Sequence, residues 1–358
     1  MNQIISLIIP TYNERENIVP LVERIHRAMS NYDYQILLID DDSPDGTAEV
    51  ATNLSPKYPV RVIVRRNKRG LASAVVDGLR ISKGEIIGAL NADLQHPPEV
   101  IPDLLREIEN GADIAIASRY VKGGRCQDWG LTRRIISRGA TALAHLLLPS
   151  TRRFTDPMSG FYMLRKSVIA NADLRPTGYK ILLEILLEGK FHQVAEVAYT
   201  FGSRRSGYSK LGIRQYIDYL RHIFRLMKRK GELLRFIKFC AVGASGILVN
   251  MGLLWLLTEF AGIYYLVSGA IAKELSIISN FTLNDFFTFR DRRLPAVSSF
   301  FSRLLKFNLV SIAGLVINIG VLWLLSEVFG IYYLISNLFG IMLATLFRYA
   351  LSLWWTWR

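Results

Sequence analysis

Three short segments carry oxygen-rich side chains at a spacing that could hold a nucleotide and a metal ion. They are Pro10-Thr11-Tyr12-Asn13-Glu14, Asp40-Asp41-Asp42-Ser43-Pro44-Asp45-Gly46-Thr47 and Asn91-Ala92-Asp93-Leu94-Gln95-His96. Any one of them alone reads as an ordinary turn or helix cap. Three in order, each after a β-rich run, read as one site. A carboxylate such as Asp41 can accept hydrogen bonds from a base or a ribose. Asp93 and Gln95, at alternate positions of a short loop, offer hard oxygen donors to Mg²⁺ or Mn²⁺, with substrate phosphates completing the shell. The chemistry implied is that of a nucleotide-sugar site.

The elements that must deliver these groups alternate in type. ISLIIP, YQILLID, RVIVRR and EIIGALNAD are β-rich, and helical stretches such as ENIVPLVERIHRAM and LASAVVDGLRISKG lie between them. This pattern predicts a parallel α/β sheet, whose ligands bind at the carboxyl ends of the strands. The three segments fall at such ends.

Basic residues follow. Arg119, after the run DIAIAS, is expected to reach phosphate or sugar. Arg133, Arg134 and Ser137 open an amphipathic helix, LTRRIISRGATALAHLLL, and Arg204 and Lys210 lie in RRSGYSKL. A guanidinium fork and an ammonium point charge both suit phosphate, while Arg134, Arg205 and Lys228 read as lipid-headgroup contacts. From Ile213, a helical stripe of Tyr216, Leu220, Ile223, Phe224 and Met227 is flanked by Arg214, Arg221, Arg225 and Lys228, the pattern of an interfacial helix. The histidines lack metal-binding spacing and read as ordinary, His96 differing only in following Gln95.

The chain has 358 residues, is 51% hydrophobic and carries a net charge of +14. Charge is unevenly spread: residues 236–358 hold only 9 Lys+Arg and 5 Asp+Glu. That segregation predicts a soluble domain followed by a membrane domain, and it excludes disorder and fibrous structure. Cys126 and Cys240 offer no disulfide framework, and the N-terminus does not read as a signal peptide, so the first domain is expected in the cytoplasm. Apolar runs at about 237–259, 263–284, 305–328 and 331–354 match the ~20 residues of a bilayer crossing. The segment from Arg235 repeats from Arg303 at an offset of 68, which predicts duplicated helical hairpins. Lys and Arg cluster before the first run, between the second and third and at the C-terminus, so those parts are expected on the cytoplasmic side. Asn250, Lys273, Glu274, Asn280, Asn318 and Arg348 fall inside the runs, where polar groups either join helices or mark a functional site. Because the basic residues track membrane boundaries, nucleic-acid binding is disfavoured.

Taken together, LIIPTYNE, DDDSPDGT, NADLQHPPEV, SRYVKGG, DPMSGFYMLRK and the late R-x-x-G-x-S-K-L resemble the inverting glycosyltransferases of the A-type fold. More narrowly, the whole chain resembles the dolichyl-phosphate mannose synthases that carry a fused GtrA-like membrane domain. The resemblance implies an α/β, Rossmann-like GT-A domain over 1–210, an amphipathic interfacial linker over 211–234, and an all-α transmembrane domain of four helices over 235–358. It implies transfer of mannose from GDP-mannose to dolichyl or another polyprenyl phosphate with inversion, by a multi-pass protein of the cell membrane. Pro10, Tyr12, Glu14, Ile39 and Asp41 would contact the nucleoside. Asn91, Ala92, Asp93, Arg119, Arg204 and Lys210 would contact the rest of the donor. Asp93 and Gln95 would hold Mg²⁺ or Mn²⁺, and Arg119, Arg133 and Ser137 the lipid phosphate, with Asp93, Arg119 and Arg204 as the catalytic set. One departure is visible: Asn91 stands where the family usually has Asp, which removes a negative charge and predicts weaker cation binding. Two other readings remain, a hexosyltransferase using UDP-glucose and a catalytically degenerate transport or scaffold protein.

Overall fold

The computed structural model describes residues 4–67, 70–175, 178–203, 212–293 and 297–357. The chain divides into two compact units, Met1–Leu226 and Met227–Arg358.

The first unit runs β1 (Ile5–Thr11), α1 (Arg15–Ala28), β2 (Tyr34–Asp40), α2 (Thr47–Leu54), β3 (Val60–Val64), α3 (Leu71–Ile81), β4 (Ile86–Ala89), α4 (Ile101–Glu109), β5 (Ile114–Ser118), β6 (Arg125–Cys126), α5 (Leu131–Leu147), β7 (Tyr162–Arg165), α6 (Ile181–Glu188), β8 (Val194–Ala198) and β9 (Thr200–Phe201). Seven strands form one sheet in the order β3-β2-β1-β4-β7-β5-β8. Every residue of β1 is buried, as a central strand covered on both faces requires. On one face lie Ile18, Leu21 and Ile25 of α1 with Leu104, Leu105 and Ile108 of α4. On the other lie Val75 and Leu79 of α3 with Ile181, Leu182 and Ile185 of α6. The apolar residues of α4, Ile101, Leu104, Leu105 and Ile108, recur at the spacing that puts one stripe toward a core. Helix α3 approaches β1 so closely that a Cβ on Gly78 would stand 2.5 Å from Ile8 Cγ2.

The sheet is mixed, not wholly parallel. Strands β1 to β4 pair in parallel, as do β5 and β8, but β7 runs antiparallel between β4 and β5. The alternation in the first hundred residues determines only the first four strands. The connection from β5 to β7 is longer and contains both β6 and α5, so periodicity leaves its direction open. The reversal has a local result: Ala89 pairs with Tyr162, which sets the segment preceding β7 beside the loop that follows β4.

Helix α7 (Ile213–Arg229) differs from the single stripe expected of it. Tyr219, Ile223, Leu226 and Met227 are buried, whereas Tyr216, Ile217, Leu220 and Phe224 are exposed. Its apolar surface is wide enough to supply two faces, one anchored by the Tyr219 hydroxyl donating to Ala140 O at 2.6 Å.

The second unit contains α8 (Glu232–Trp255), α9 (Tyr265–Leu283), α10 (Val297–Trp323) and α11 (Tyr333–Leu351). Each continues into a π-helical turn, at Leu256–Phe260, Asn284–Thr288, Leu324–Val328 and Ser352–Thr356. The two hairpins match at the sequence offset: Gly262 and Gly330 both have φ of 65°, and Tyr264 and Tyr332 both have φ −50° and ψ 127°. Among the described residues, three helices are long and apolar enough to cross a membrane, Glu232–Phe260, Ser299–Val328 and Tyr333–Thr356. The helix containing α9, expected as a fourth span, is not among them, because Lys273, Glu274 and Asn280 lower its hydropathy. Leu248, Phe260, Val316, Phe329 and many other apolar side chains lie on the outside, as lipid-facing surfaces do and water-facing ones rarely do. Inside, Phe239, Phe281, Phe289, Phe307, Tyr349 and Trp357 cluster. Beside them the fully buried Asp285 is neutralised by Arg293 and Arg303, each at 3.1 Å, and accepts from Trp357 Nε1 at 2.8 Å.

Candidate functional site

Strands β1, β2 and β4 end side by side, with Thr11 paired to Asp40 and Ile8 to Ala89. The three polar segments therefore open on one edge, and each is fixed by the next. The Thr11 hydroxyl donates to Asp40 Oδ1 at 2.8 Å, and Ser43 donates to the same carboxylate from N at 2.8 Å and from Oγ at 2.6 Å. Asn13 N donates to Ser43 Oγ, Glu14 N to Thr47 Oγ1 and Arg15 N to Asp45, all at 3.0–3.1 Å. Asn13 and Asp42 hold φ of 56° and 55°, a left-handed conformation that Asn and Asp adopt more readily than most residues. Pro10 and Ile39 are buried, and Tyr12 and Glu14 are half-buried at the rim. Pro10 also lines a small cleft with Val75, Asn91, Gly160, Tyr162 and Tyr179.

Asp41, expected as an open acceptor, is instead nearly saturated. Its Oδ1 accepts from Nε and Nη2 of the buried Arg65, and its Oδ2 accepts from Gly70 N at 2.7 Å. A carboxylate has about four acceptor sites, so three are used and Oδ2 keeps one for a ligand. Arg65 also reaches Ser73 Oγ and Asp77, both at 3.0 Å. Arg65 is not among the expected site residues; its place just past β3, beside the end of β2, is the signal it leaves in the sequence.

Beyond β4, Ala92, Asp93 and Gln95 are all buried. Asp93 Oδ1 accepts from Gln95 N at 3.2 Å, and Gln95 Nε2 donates to Gly202 O at 3.1 Å, which leaves the Gln95 carbonyl oxygen as the acceptor end. Among the described residues no group of three or more His, Cys, Asp or Glu could hold a metal. A cage made wholly of protein ligands is thus not what these residues build. One carboxylate and one amide carbonyl do fit Mg²⁺ or Mn²⁺, which take few protein oxygens when substrate phosphates supply others.

Asn91 has a partner that spacing did not suggest. Its Nδ2 lies 3.2 Å from His96 Nε2, and His96 Nδ1 lies 3.3 Å from the Tyr199 hydroxyl. His96 is buried, edge-on to Phe161 and Phe201 and stacked on Tyr199. Burial first, then the charges of Arg119 and Lys180, push its pKa down to about 3, so the ring is neutral. An amide donor at Nε2 puts the ring proton on Nδ1, directed at Tyr199. Gly160 leaves room for the pair: a Cβ there would stand 3.4 Å from Asn91 Nδ2 and 3.5 Å from His96 Nε2. His96 thus links Asn91 to Tyr199 inside a buried aromatic cluster.

Arg119 lies just past β5 and is also buried. It is not a lone charge: Nε and Nη2 each donate to the fully buried Asp156 at 2.8 Å. Burial alone would lower its pKa, but the hydrogen bonds and charge of Asp156 outweigh that and hold it raised. Three of its five N–H groups are left over from this pair. The guanidinium faces Tyr120, Trp129 and Phe201, with Cζ 5.5 Å from the Trp129 ring centre. Arg133 covers the same indole at 4.5 Å, and Ser137 Oγ lies 2.7 Å from the Tyr120 hydroxyl. The structure thus gathers Arg119, Arg133 and Ser137 around Trp129 and Tyr120. Asp156 belongs to DPMSGFYMLRK, a motif recognised in the sequence but given no role there.

Lys180 completes the picture. Its Nζ donates to Met158 O at 3.0 Å. Burial first, and the charge of Arg119 second, lower its pKa to about 7, with Asp156 offsetting part of the shift. Arg204 and Lys210 lie outside the described residues.

Comparison with known proteins follows the same two-part division. Residues 6–170 match the family model "Glycosyl transferase family 2", and residues 238–357 match "GtrA/DPMS, transmembrane domain". A dolichol-phosphate mannosyltransferase of Pyrococcus furiosus is 50% identical over 353 residues, covering 99% of this chain and 99% of that protein. One from Saccharomyces cerevisiae is 37% identical over 253 residues, 66% of this chain and 93% of its own. Among solved structures, glucosyl-3-phosphoglycerate synthase of Mycobacterium tuberculosis, in complex with Mn²⁺, UDP-glucose and phosphoglyceric acid, aligns with a TM-score of 0.50 and 18% identity over 63% of this chain and 80% of that one. That likeness speaks to the fold of the first unit.

Proposed function

Since the chain belongs to the dolichol-phosphate mannosyltransferase family, we propose that it transfers mannose from GDP-mannose to a dolichyl or other polyprenyl phosphate, with inversion at the anomeric carbon. The observation that carries this reading is the Pyrococcus relative, which matches at 50% identity through both the catalytic and the membrane regions.

The residues divide the work by chemistry. A phosphate monoester has its second pKa near 6, so the acceptor is already an anionic nucleophile near neutral pH. Its attack on the sugar needs no strong protein base. The protein's part is to hold two anions in line and at close range. On the donor side, Pro10, Tyr12, Glu14, Ile39 and the remaining acceptor site of Asp41 take the nucleoside, while Asn91, held by His96, and Ala92 meet the sugar-bearing end. Asp93 and Gln95 would hold Mg²⁺ or Mn²⁺; when bound, such an ion supplies positive charge against the departing diphosphate. On the acceptor side, Arg133, Ser137 and the N–H groups of Arg119 not used by Asp156 receive the lipid phosphate. Lys180, close enough to Arg119 to feel its charge, adds a second buried cation for the donor diphosphate. Arg204 and Lys210 are proposed as further phosphate contacts on the strength of the R-x-x-G-x-S-K-L motif. The basic clusters flanking the apolar helices support a catalytic domain on the cytoplasmic face of the cell membrane.

The test is to incubate purified protein with GDP-mannose and, separately, UDP-glucose, each with a polyprenyl phosphate and Mg²⁺ or Mn²⁺, and to identify the glycolipid. A β-linked mannosyl lipid formed only from GDP-mannose is expected. Turnover of UDP-glucose alone would replace the donor assignment, and no product from either would favour a degenerate enzyme.

A further inference from the structure

The offset of 68 that relates the two hairpins also relates two packing sites inside the second unit. In the first hairpin, Gly246 of α8 faces Asn280 of α9, and a Cβ on Gly246 would stand 2.2 Å from Asn280 Nδ2. In the second, Gly314 of α10 faces Arg348 of α11, and a Cβ on Gly314 would stand 2.5 Å from Arg348 Cδ. One glycine notch is filled by a neutral amide, its duplicate by a guanidinium. Packing therefore needs only a polar side chain that fits, as Asn280 demonstrates, and the charge at position 348 is surplus to that need.

Among the described residues nothing acidic neutralises it. Arg303 and Arg235 are paired with Asp285 and Glu232, but among the described residues Arg348 has no carboxylate partner. Its Nη2 donates to Ser311 Oγ at 3.3 Å, and its buried Nε has no hydrogen-bond partner. Ser311 in turn donates to Phe307 O at 2.9 Å, so it braces the guanidinium without compensating its charge. An uncompensated arginine within an apolar helix is costly and marks a functional position by default. The same helices present exposed Ile312, Leu315, Ile341 and Met342, a surface suited to hydrocarbon chains.

We propose that Arg348, braced by Ser311 in the Gly314 notch, binds the phosphate of an anionic lipid headgroup inside the membrane unit. The ligand class is a phosphate-bearing lipid: the forked N–H groups meet phosphate oxygens and the apolar flanks meet the chain. None of its residues is among those proposed above for the acceptor phosphate.

Full-length protein, stripped of lipid in detergent, tests this by native mass spectrometry with polyprenyl phosphate, phosphatidylglycerol and uncharged polyprenol as probes. Arg348→Asn copies the residue of the first hairpin and is expected to fold. It should bind one phosphate lipid fewer than the parent, or bind it about ten-fold more weakly, as loss of one charge-assisted contact implies, while polyprenol binding stays unchanged. Arg348→Lys should fall between them. Loss of polyprenyl phosphate alone would identify a substrate or product lipid, whereas equal loss of phosphatidylglycerol would identify bulk anionic lipid. The readout is the difference between parent and variant, so failure of the proposed transfer reaction would not affect it. Equal lipid counts and affinities in parent and Arg348→Asn overturn the proposal. Should Arg348→Asn not fold, Arg348→Gln takes its place, and a parent that binds no phosphate lipid overturns the proposal without any variant.

Discussion

Two buried arginine–aspartate pairs face the candidate site, and they are built in opposite senses. Where β2 ends, the carboxylate of Asp41 is held by Arg65 and keeps an acceptor position open. At the aromatic cluster the guanidinium of Arg119 is held by Asp156 and keeps N–H donors open. Each pair lets a charge stay buried without being neutralised by its ligand, because the partner satisfies part of its hydrogen bonding and leaves part open. Under the proposed reaction, the first pair suits hydroxyl and N–H donors and the second suits phosphate oxygens.

The largest effect is expected at Asp93, which belongs to neither pair: Asp93→Ala should lower kcat by about a thousand-fold, the scale of losing a group that acts on developing charge, with membrane insertion unchanged. Full activity of that variant, assayed after purification, would remove the cation-holding role. Next is Asp156→Ala, which leaves Arg119 buried and unpaired; a loss of about 3–5 kcal/mol of stability is expected, read as a lower denaturation midpoint. Arg65→Ala should raise KM for the nucleotide sugar by about ten-fold, since one charge-assisted support is lost, and leave KM for the lipid phosphate alone. If both constants moved together, the two pairs would not be the separate donor and acceptor supports described.

The smallest effect concerns pH. Lys180 loses its proton near 7 in the folded protein, against 10.5 in the unfolded chain. If its charge assists donor binding, kcat/KM should fall as pH rises through about 7, because that ratio reports the free enzyme. Lys180→Arg, charged throughout this range, should remove that limb. The stability effect has the opposite sign: the unfolded chain holds the extra proton between about 7 and 10.5, so this burial penalty diminishes as pH rises across that window.

Much of the site was legible because its ligand-facing residues sit where strands end. The β-rich runs alone place Asp41, Asn91, Asp93 and Gln95 on one edge, and the 68-residue repeat places the two hairpins. What periodicity could not reach were the supports. Arg65, Asp156, Tyr199 and Lys180 lie far from their partners in sequence and meet them only through sheet pairing, above all through the reversed β7. Helix α7 has the same limit: spacing identifies its apolar residues but not which of two faces a neighbour covers.

The contact between Asn91 and His96 bears on what an acid at position 91 would meet. Imidazole carries a proton on either nitrogen, and the Tyr199 hydroxyl can give or receive. With Asp at position 91, the ring proton would move to Nε2 to face the carboxylate, and Tyr199 would turn to donate to Nδ1. Every hydrogen bond survives the exchange, so an amide-to-acid substitution at position 91 keeps this network intact. Through its two tautomers the imidazole serves either side chain, as an adaptor that works in both directions.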